Sequence, residues 1–170
     1  MQKLYTLTAV DVRLAEQDGT SRFTTIDKLT MPSIEFTTAG HNPGGGVGEV
    51  EFNLPRIAAL QPAFAVKGLD TDIFGLLGER QRWVFAAAYK DQNTGLDVAH
   101  RAVIEGSVSQ WEPDETSPTE FQGCNHVLKE VTFYELVHNG EELFHWDFWN
   151  GIIRTGGVDH TAGVRTALGI

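Results

Sequence analysis

Two sets of residues have the types that phosphate binding, metal binding or nucleophilic catalysis requires. The first is the glycine-rich segment Gly44-x-Gly46-x-Gly48. Such a segment cradles a phosphate when a Lys-Ser or Lys-Thr pair follows it and when a strand and a helix flank it. This sequence meets neither condition, so we predict that no nucleotide or other cofactor binds there.

The second set comprises six histidines and the single cysteine. No two histidines have the i, i+4 spacing of a helical metal site, and Cys124 and His126 lack a second pair that would complete a zinc site. Cys124 could act as a nucleophile only with an activating base, and the sequence around it supplies none. We therefore predict no metal site, no catalytic residue and a buried or interfacial thiol.

Composition and charge restrict the class of protein further. The chain has 170 residues, of which 41% are apolar, so it can bury one core as a single domain over residues 1–170. One cysteine cannot form an internal disulfide, which suits a reducing cytoplasm. The sequence shows no apolar run that could span a bilayer and no signal-peptide pattern, so we expect no membrane anchor. A net charge of −10 argues against tight binding to nucleic acid.

The elements that would position these residues are mostly strands. Residues Lys3 to Leu14 alternate in polarity, Asp18-Gly19 provides a turn, and Arg22 to Asp27 is the candidate return strand. One short helix is predicted from Asp70 to Leu77, with Asp70 or Thr71 as its cap. Further strands are predicted over residues 34–37, 49–54, 64–68, 83–89 and 96–111.

Residues 39–62 form an extended loop or arm that contains a short strand. Its glycines cannot pack a core, so the segment is either a flexible loop or an arm that becomes ordered against a neighbouring subunit. Ordering it would cost about 1–2 kcal/mol per residue in backbone entropy, which contacts between subunits must offset.

The strongest local signal is a hairpin turned by Asn139-Gly140, a pair typical of a two-residue type I′ turn. With that turn, His138 faces Glu141, and the register runs back until Val131 faces Phe148. This register predicts a core face made of Val131, Phe133, Val137, Phe144, Trp146 and Phe148. It predicts a mixed face, solvated or covered by another subunit, made of Thr132, Tyr134, Leu136, Leu143, His145 and Asp147.

Residues 156–170 follow the hairpin as a C-terminal docking tail. Asp159 or Thr161 can cap a short helix that carries Val164 and Leu168 on one side. A helix this short is marginal alone, so it must dock on its own domain or on an adjacent subunit or sheath.

Several segments together resemble a known family. They are Val131 to Leu136, Asn139 to Leu143, Gly157 to Asp159 and Arg165 to Ile170, with Thr30-Met31-Pro32, the glycine-rich stretch from Ala39-Gly40 and the helix after Gly68 as further matches. This pattern resembles the major tail tube protein of contractile phage tails and the related R-type bacteriocins. The resemblance implies a mainly β fold: a β-sandwich or partial barrel with one short flanking helix and long loops.

The resemblance also implies a structural protein without catalysis. Such subunits form hexameric rings whose strands complete a multi-subunit β-barrel, and the rings stack into a tube inside a sheath. The implied partners are further copies of the chain, the tail sheath protein, the baseplate and tail-terminator proteins, and genomic DNA that passes through the lumen without tight binding. The implied location is the virion, with the host cytoplasm during assembly.

These expectations assign candidate residues to two surfaces. Contacts between subunits are predicted for Gly40, Pro43, Gly44, Gly45, Gly46, Gly48, Tyr134, Leu136, Leu143, His145, Val164 and Leu168. An acidic lumen is predicted to use Glu49, Glu51, Asp97 and Glu105, although the excess of acid also fits ordinary solubility charge. The alternatives are a tube subunit of a contractile bacteriocin-like particle and a soluble β-sandwich module that binds a ligand.

Overall fold

Alternating apolar and polar residues form strands over most of the chain, as their period of two predicts. The structure, a computed structural model, describes residues 2–16 and 21–170. The strands are β1 (Tyr5–Leu14), β2 (Ile26–Thr30), β3 (Phe36–His41), β4 (Val50–Ile57), β5 (Ala63–Lys67), β6 (Arg80–Asp91), β7 (Asp97–Pro113), β8 (Gly123–His138), β9 (Glu141–Asp147), β10 (Ile152–Thr155) and β11 (Val158–Asp159). The helices are α1 (Thr71–Gly75) and α2 (Ala162–Leu168). The predicted mainly β fold class is confirmed.

The main sheet is antiparallel and follows the order β1-β6-β7-β8-β9-β10-β11. The long strand β8 joins two parts of this sheet: its first residues pair with β5, and its last residues pair with β9. Glu130, with φ 51°, lies between these two stretches. Within the described residues β1 pairs only with β6, and β11 pairs only with β10. These two strands therefore form the ends of the sheet path.

The core lies on one face of the main sheet, under β2, β5 and α1. Cross-strand partners point to the same side of a sheet, so Trp83 of β6 shares this face with Leu14 of β1 and Ile104 of β7. The largest fully buried side chains include Trp83, Tyr134, Phe85, Ile73, Ile104 and Leu128.

Both helices are short. Of the two predicted caps of the central helix, Asp70 is the N-cap, because its carboxylate accepts hydrogen bonds from the backbone N–H groups of Asp72 and Ile73. The Nε of Arg22 also donates to Asp70, at 2.8 Å, and ties the chain after β1 to α1. No helix in the described part of the chain is long and apolar enough to cross a membrane.

The predicted return strand after β1 is wrong in both position and partner. The Asp18-Gly19 turn lies outside the described residues, and the next strand, β2, begins at Ile26 and pairs with β5. Arg22 lies between the two elements: its backbone N–H donates to the carbonyl of Val12, while its side chain binds Asp70. Arg22 therefore contacts both the end of β1 and α1, and the strand that follows it, β2, pairs with β5.

The turn of the C-terminal hairpin is confirmed. Asn139 and Gly140 have φ values of 50° and 82°, the left-handed conformation that a type I′ turn requires at both positions. His138 faces Glu141, and Val137 faces Glu142, as predicted. Beyond these pairs a bulge shifts the register, so Leu136 faces Phe144 instead of Leu143.

This bulge corrects the predicted core face. Because one extra residue is inserted in β9, Phe144 pairs with Leu136 and Trp146 pairs with Tyr134. The predicted partners were Glu135 and Phe133. Phe144 and Trp146 therefore share a face of the sheet with Leu136 and Tyr134. Tyr134 is fully buried, and Leu136 packs against the core, although both were assigned to the mixed face. Phe148, assigned to the core face, is exposed.

Candidate assembly surfaces

The glycine-rich segment belongs to a β-hairpin arm, β3–β4, that forms a sheet of its own. Gly40 faces Glu51, and His41 faces Val50, so the loop between the strands covers only residues 42–49. Ala39 and Gly40 were predicted as loop but lie in β3, because the alternating residues of β4 give them a pairing partner. The arm is therefore an ordered hairpin that carries a short glycine-rich tip.

The base of the arm is fixed to the rest of the protein. The backbone N–H of Ala58 donates to the carbonyl of Glu35 at 2.9 Å, and Phe36 and Ile57 pack against the core. The ring of Phe36 also meets the ring of His160 edge-on, with centroids 5.5 Å apart. These contacts attach the base of the hairpin to the rest of the protein.

The far part of the arm exposes apolar side chains. Val47 is 86% exposed and Phe52 is 57% exposed, and Val50 is exposed beside them. The candidate contacts Pro43, Gly44, Gly45, Gly46 and Gly48 lie in the loop on either side of Val47. Exposed apolar side chains grouped on one projection mark a surface for interaction.

A cleft of about 630 Å³ opens beside the end of the C-terminal hairpin. The rings of Trp146, Phe148 and Trp149 follow one another at centroid distances of 6.4 and 5.1 Å. The guanidinium carbon of Arg80 lies 6.0 Å from the centroid of the Trp149 ring. This aromatic surface was not predicted from the sequence, because the predicted register placed Phe148 and Trp146 together in the core.

The tail helix α2 is positioned by polar contacts instead of a buried face. The Oγ1 of Thr161 accepts a hydrogen bond from the backbone N–H of Ile153 at 3.1 Å, and Asp159 accepts from both the backbone N–H and the hydroxyl of Thr161. No residue of α2 is buried, and the candidate contacts Val164 and Leu168 are exposed. The apolar side of the tail is therefore uncovered in the isolated protein.

Arg165 joins the tail helix to the sheet. Its guanidinium donates to the carbonyl of Gly151 at 2.9 Å and to the Asp159 carboxylate at 2.6 Å. The pKa of Asp159 is held far below its ordinary value of 3.8, mainly by the Arg165 hydrogen bond and then by the Thr161 N–H. Because the folded-state pKa is lowered, this interaction stabilises the tail above about pH 4 and is lost as the pH falls through the lowered value.

We expect the Asp159→Asn variant to release the tail at neutral pH. The variant keeps the size of the side chain but removes the charge that Arg165 binds. Digestion by carboxypeptidase at pH 7 should therefore remove residues 162–170 faster than in the wild-type protein. The Asp97→Asn variant, which changes an exposed acid on the main sheet, is the control. Equal digestion rates for wild type and Asp159→Asn would contradict this role.

The candidate contacts on the C-terminal hairpin lie in three different environments. Tyr134 is 0% exposed, and its side chain fills the core of its own chain instead of presenting a surface to another subunit. Leu136 packs on the same core, and Leu143 is exposed at the bulge. His145 lies on the opposite face of the sheet, where its ring meets Phe133 edge-on at 5.3 Å.

His145 is part of a charged network on β8, β9 and β10. Arg154 donates two hydrogen bonds to Glu142, at 2.8 and 2.9 Å, and these lower the pKa of the Glu142 carboxyl. His145 Nδ1 lies 3.3 Å from the Glu135 carboxylate. Glu135, Glu142 and His145 are close enough together to hold an ion, but the Arg154 cation already binds both Glu142 oxygens. The network is therefore explained as an ion pair joining three strands.

The four candidate lumen acids are not brought together. Glu49 and Glu51 lie on the arm, whereas Asp97 and Glu105 lie on β7, on the sheet face opposite the core. Each of these two acids on β7 has a cationic residue directly across the ladder on β6. These pairs are Lys90 with Asp97 and Arg82 with Glu105. This part of the sheet face therefore carries mixed charge.

Cys124 and His126 lie in the interior, where neither residue is positioned for catalysis. Both are about 1% exposed, and burial raises the pKa of the Cys124 thiol. The ring of His126 stacks on Phe64, with centroids 4.8 Å apart. The prediction of a buried thiol is confirmed.

Comparisons with known proteins agree with this architecture. Residues 14–169 match the family model of the phage tail tube protein FII, and no curated protein matches the chain. A chain in the structure described as "Cryo-EM structure of the anti-feeding prophage (AFP) baseplate, 6-fold symmetrised" is similar in fold, with a TM-score of 0.54 and 8% identity. That likeness covers 81% of this chain and 94% of the other. The match over residues 14–169 shows that the chain belongs to the phage tail tube protein FII family, whose members are structural and not enzymes.

Proposed function

We propose that this chain is the subunit of the inner tube of a contractile phage tail, and that six copies form each ring of a stacked tube. Family membership supports the tube, and the similar fold in a six-fold symmetrised baseplate supports the six-fold ring. Residues 1–170 act as one tube domain with two extensions, the arm and the tail. The proposed partners are other copies of the chain, the tail sheath, the baseplate and the tail terminator.

The observation that carries this proposal is the arm. Its base is held by the core and by Ala58, so the hairpin is directed before any partner binds. Its far part exposes Val47 and Phe52, which gain free energy when another surface removes them from water. A fixed projection with an apolar end fits a contact between rings, because the ordering cost is largely met within the monomer.

The tail provides a second contact. Asp159 and Arg165 hold α2 against the sheet, while Val164 and Leu168 remain exposed. Covering these side chains requires an adjacent subunit or the sheath, because α2 buries no residue against its own protomer. The tail therefore acts as a docking element on the outside of the subunit.

The charge of the chain suits a conduit for DNA. Thirteen basic side chains against 23 acidic ones give a net charge of −10, so the tube as a whole repels a phosphate backbone. We propose that DNA passes through the lumen without tight binding and that Glu49 and Glu51 contribute to the acidic wall. The subunit is made in the host cytoplasm and resides in the tail of the virion.

Size-exclusion chromatography combined with negative-stain electron microscopy tests the proposal. We expect purified protein to form rings of uniform diameter, and tubes of the same diameter at higher concentration. Small monodisperse particles at every concentration, together with saturable binding of a small ligand, would instead support a soluble binding module. Native particles that carry tubes but no DNA-filled head would identify a bacteriocin-like assembly.

A further inference from the structure

One end of the core carries two histidines that the tube function does not use. His100 of β7 and His138 of β8 are direct cross-strand partners, and both are half-buried. Their Nδ1 atoms lie 3.2 Å apart. In the neutral pair one Nδ1 carries a proton and donates it to the other, and the tautomer determines which one donates.

The rings of this pair are held in position by two tyrosines. Tyr5 meets His138 edge-on with centroids 5.0 Å apart, and Tyr89 meets His100 edge-on with centroids 5.4 Å apart. Tyr89 also contacts His138 at 6.2 Å. Each imidazole is therefore packed by an aromatic ring and attached to a strand inside the sheet, which restricts its rotation. A ligand pair built on paired strands keeps its geometry better than one built on loops.

The separation of the two nitrogens fits a tetrahedral metal ion. Zn–N bonds of about 2.0–2.1 Å at tetrahedral angles place two nitrogen ligands about 3.3–3.4 Å apart. The observed 3.2 Å is close to this value, so the two nitrogens already have nearly the separation that one ion requires. The shared proton would move from Nδ1 to Nε2 of the same ring, which leaves both imidazoles neutral and both Nδ1 lone pairs available.

We propose that His100 and His138 form a two-histidine site for a divalent transition metal ion of the zinc class. The remaining coordination positions are filled by water or by a donor from another molecule. This site is independent of the proposed tube function, because neither histidine belongs to the arm, the tail or the aromatic cleft. Metal binding would join β7 to β8 at the turn end of the C-terminal hairpin.

Isothermal titration calorimetry with Zn²⁺ tests the site, with variants His138→Gln and His100→Gln. Glutamine keeps a polar side chain of similar size but is a poor zinc ligand, so each variant should bind Zn²⁺ at least tenfold more weakly. The control His41→Gln removes an exposed arm histidine and should bind as the wild type does. Saturating Zn²⁺ should raise the Tm of the wild-type protein but not that of either variant, because an ion that binds only the folded state stabilises it.

A further variant separates this pair from the charged network. His145→Gln removes the histidine beside Glu135 and Glu142 and should leave Zn²⁺ affinity unchanged. Loss of binding in His145→Gln alone, wild-type affinity in His138→Gln, or no Zn²⁺ binding by the wild-type protein would each overturn the proposal. If both pair variants fail to fold by circular dichroism, imidazole nitrogen spectra of the wild type decide: Zn²⁺ must shift the Nδ1 signals of His100 and His138 selectively.

Discussion

Replacing Trp83 with alanine is expected to lower the free energy of unfolding by about 3–5 kcal/mol, the usual cost of truncating a large buried aromatic residue. Trp83 is 0% exposed, and it lies between Leu14 and Ile104 on the core face. Its ring also packs against Phe64, with centroids 5.7 Å apart. The truncation therefore leaves a cavity where β1, β5, β6 and β7 meet. Chemical denaturation followed by circular dichroism measures the loss.

Two other tryptophans provide matched comparisons. Trp149 is 68% exposed, so Trp149→Ala should change the free energy of unfolding by no more than about 0.5 kcal/mol. Trp146 is half-buried at the edge of the core, so its truncation should cost less than that of Trp83. The loss of unfolding free energy should be largest for Trp83→Ala, smaller for Trp146→Ala and smallest for Trp149→Ala. Any other order would show that the core is centred elsewhere.

Replacing Val47 and Phe52 together with serine is expected to prevent tube assembly while the monomer stays folded. Burying a Val or Phe side chain contributes about 1.5–3 kcal/mol, and every subunit of a ring would lose both contributions. Because the two side chains are exposed in the monomer, its Tm should change by no more than about 2 °C. Electron microscopy and thermal denaturation of the same sample measure the two effects.

Phe121 is the control for the arm variant. It is 88% exposed in the loop before β8, so Phe121→Ser removes a comparable apolar side chain far from the arm in sequence. Normal tubes from the arm variant would exclude Val47 and Phe52 as contacts between rings. Equal loss of tubes in both variants would point to a general effect of surface apolarity instead.

The local features of the fold could be predicted because short stretches of sequence determine them. Asn139 and Gly140 tolerate positive φ, so the hairpin turn followed from two residues. Asp70 followed by an apolar stripe was sufficient to locate the start of α1. The run Trp83 to Tyr89 was correctly assigned to a strand because a hairpin loop followed it.

The side of the hairpin that faces the core could not be predicted in the same way. A single bulge at Leu143 shifts the register by one residue, so every residue beyond it has a different cross-strand partner from the predicted one. No residue type in the sequence indicates a bulge at this position. Tyr134 consequently moved from a proposed contact to the centre of the core. Errors of this kind affect whole faces at once, because side chains alternate along a strand.

The pairing of strands that are distant in sequence also could not be predicted. Strand β2 pairs with β5 instead of β1, and the chain just before β2 is tied to α1 by a salt bridge between Arg22 and Asp70, 48 residues apart. His100 and His138 meet because β7 and β8 align in one particular register. Searches for metal ligands by sequence spacing identify helical pairs, whereas a cross-strand pair becomes visible only when the sheet is known.

In the proposed tube, the end position of β1 would affect how subunits begin to polymerise. In the described residues the sheet continues only on the β6 side of this ten-residue strand, and Arg22 contacts β1 only near its end, at the Val12 carbonyl. Such an edge can accept a strand from another molecule, while a net charge of −10 keeps free monomers apart. Tube growth should therefore require a critical concentration of monomer and should begin after a nucleation lag. Both the critical concentration and the lag should decrease when salt screens the charge repulsion between monomers. A preformed ring would remove the lag, so a template can determine where a tube starts.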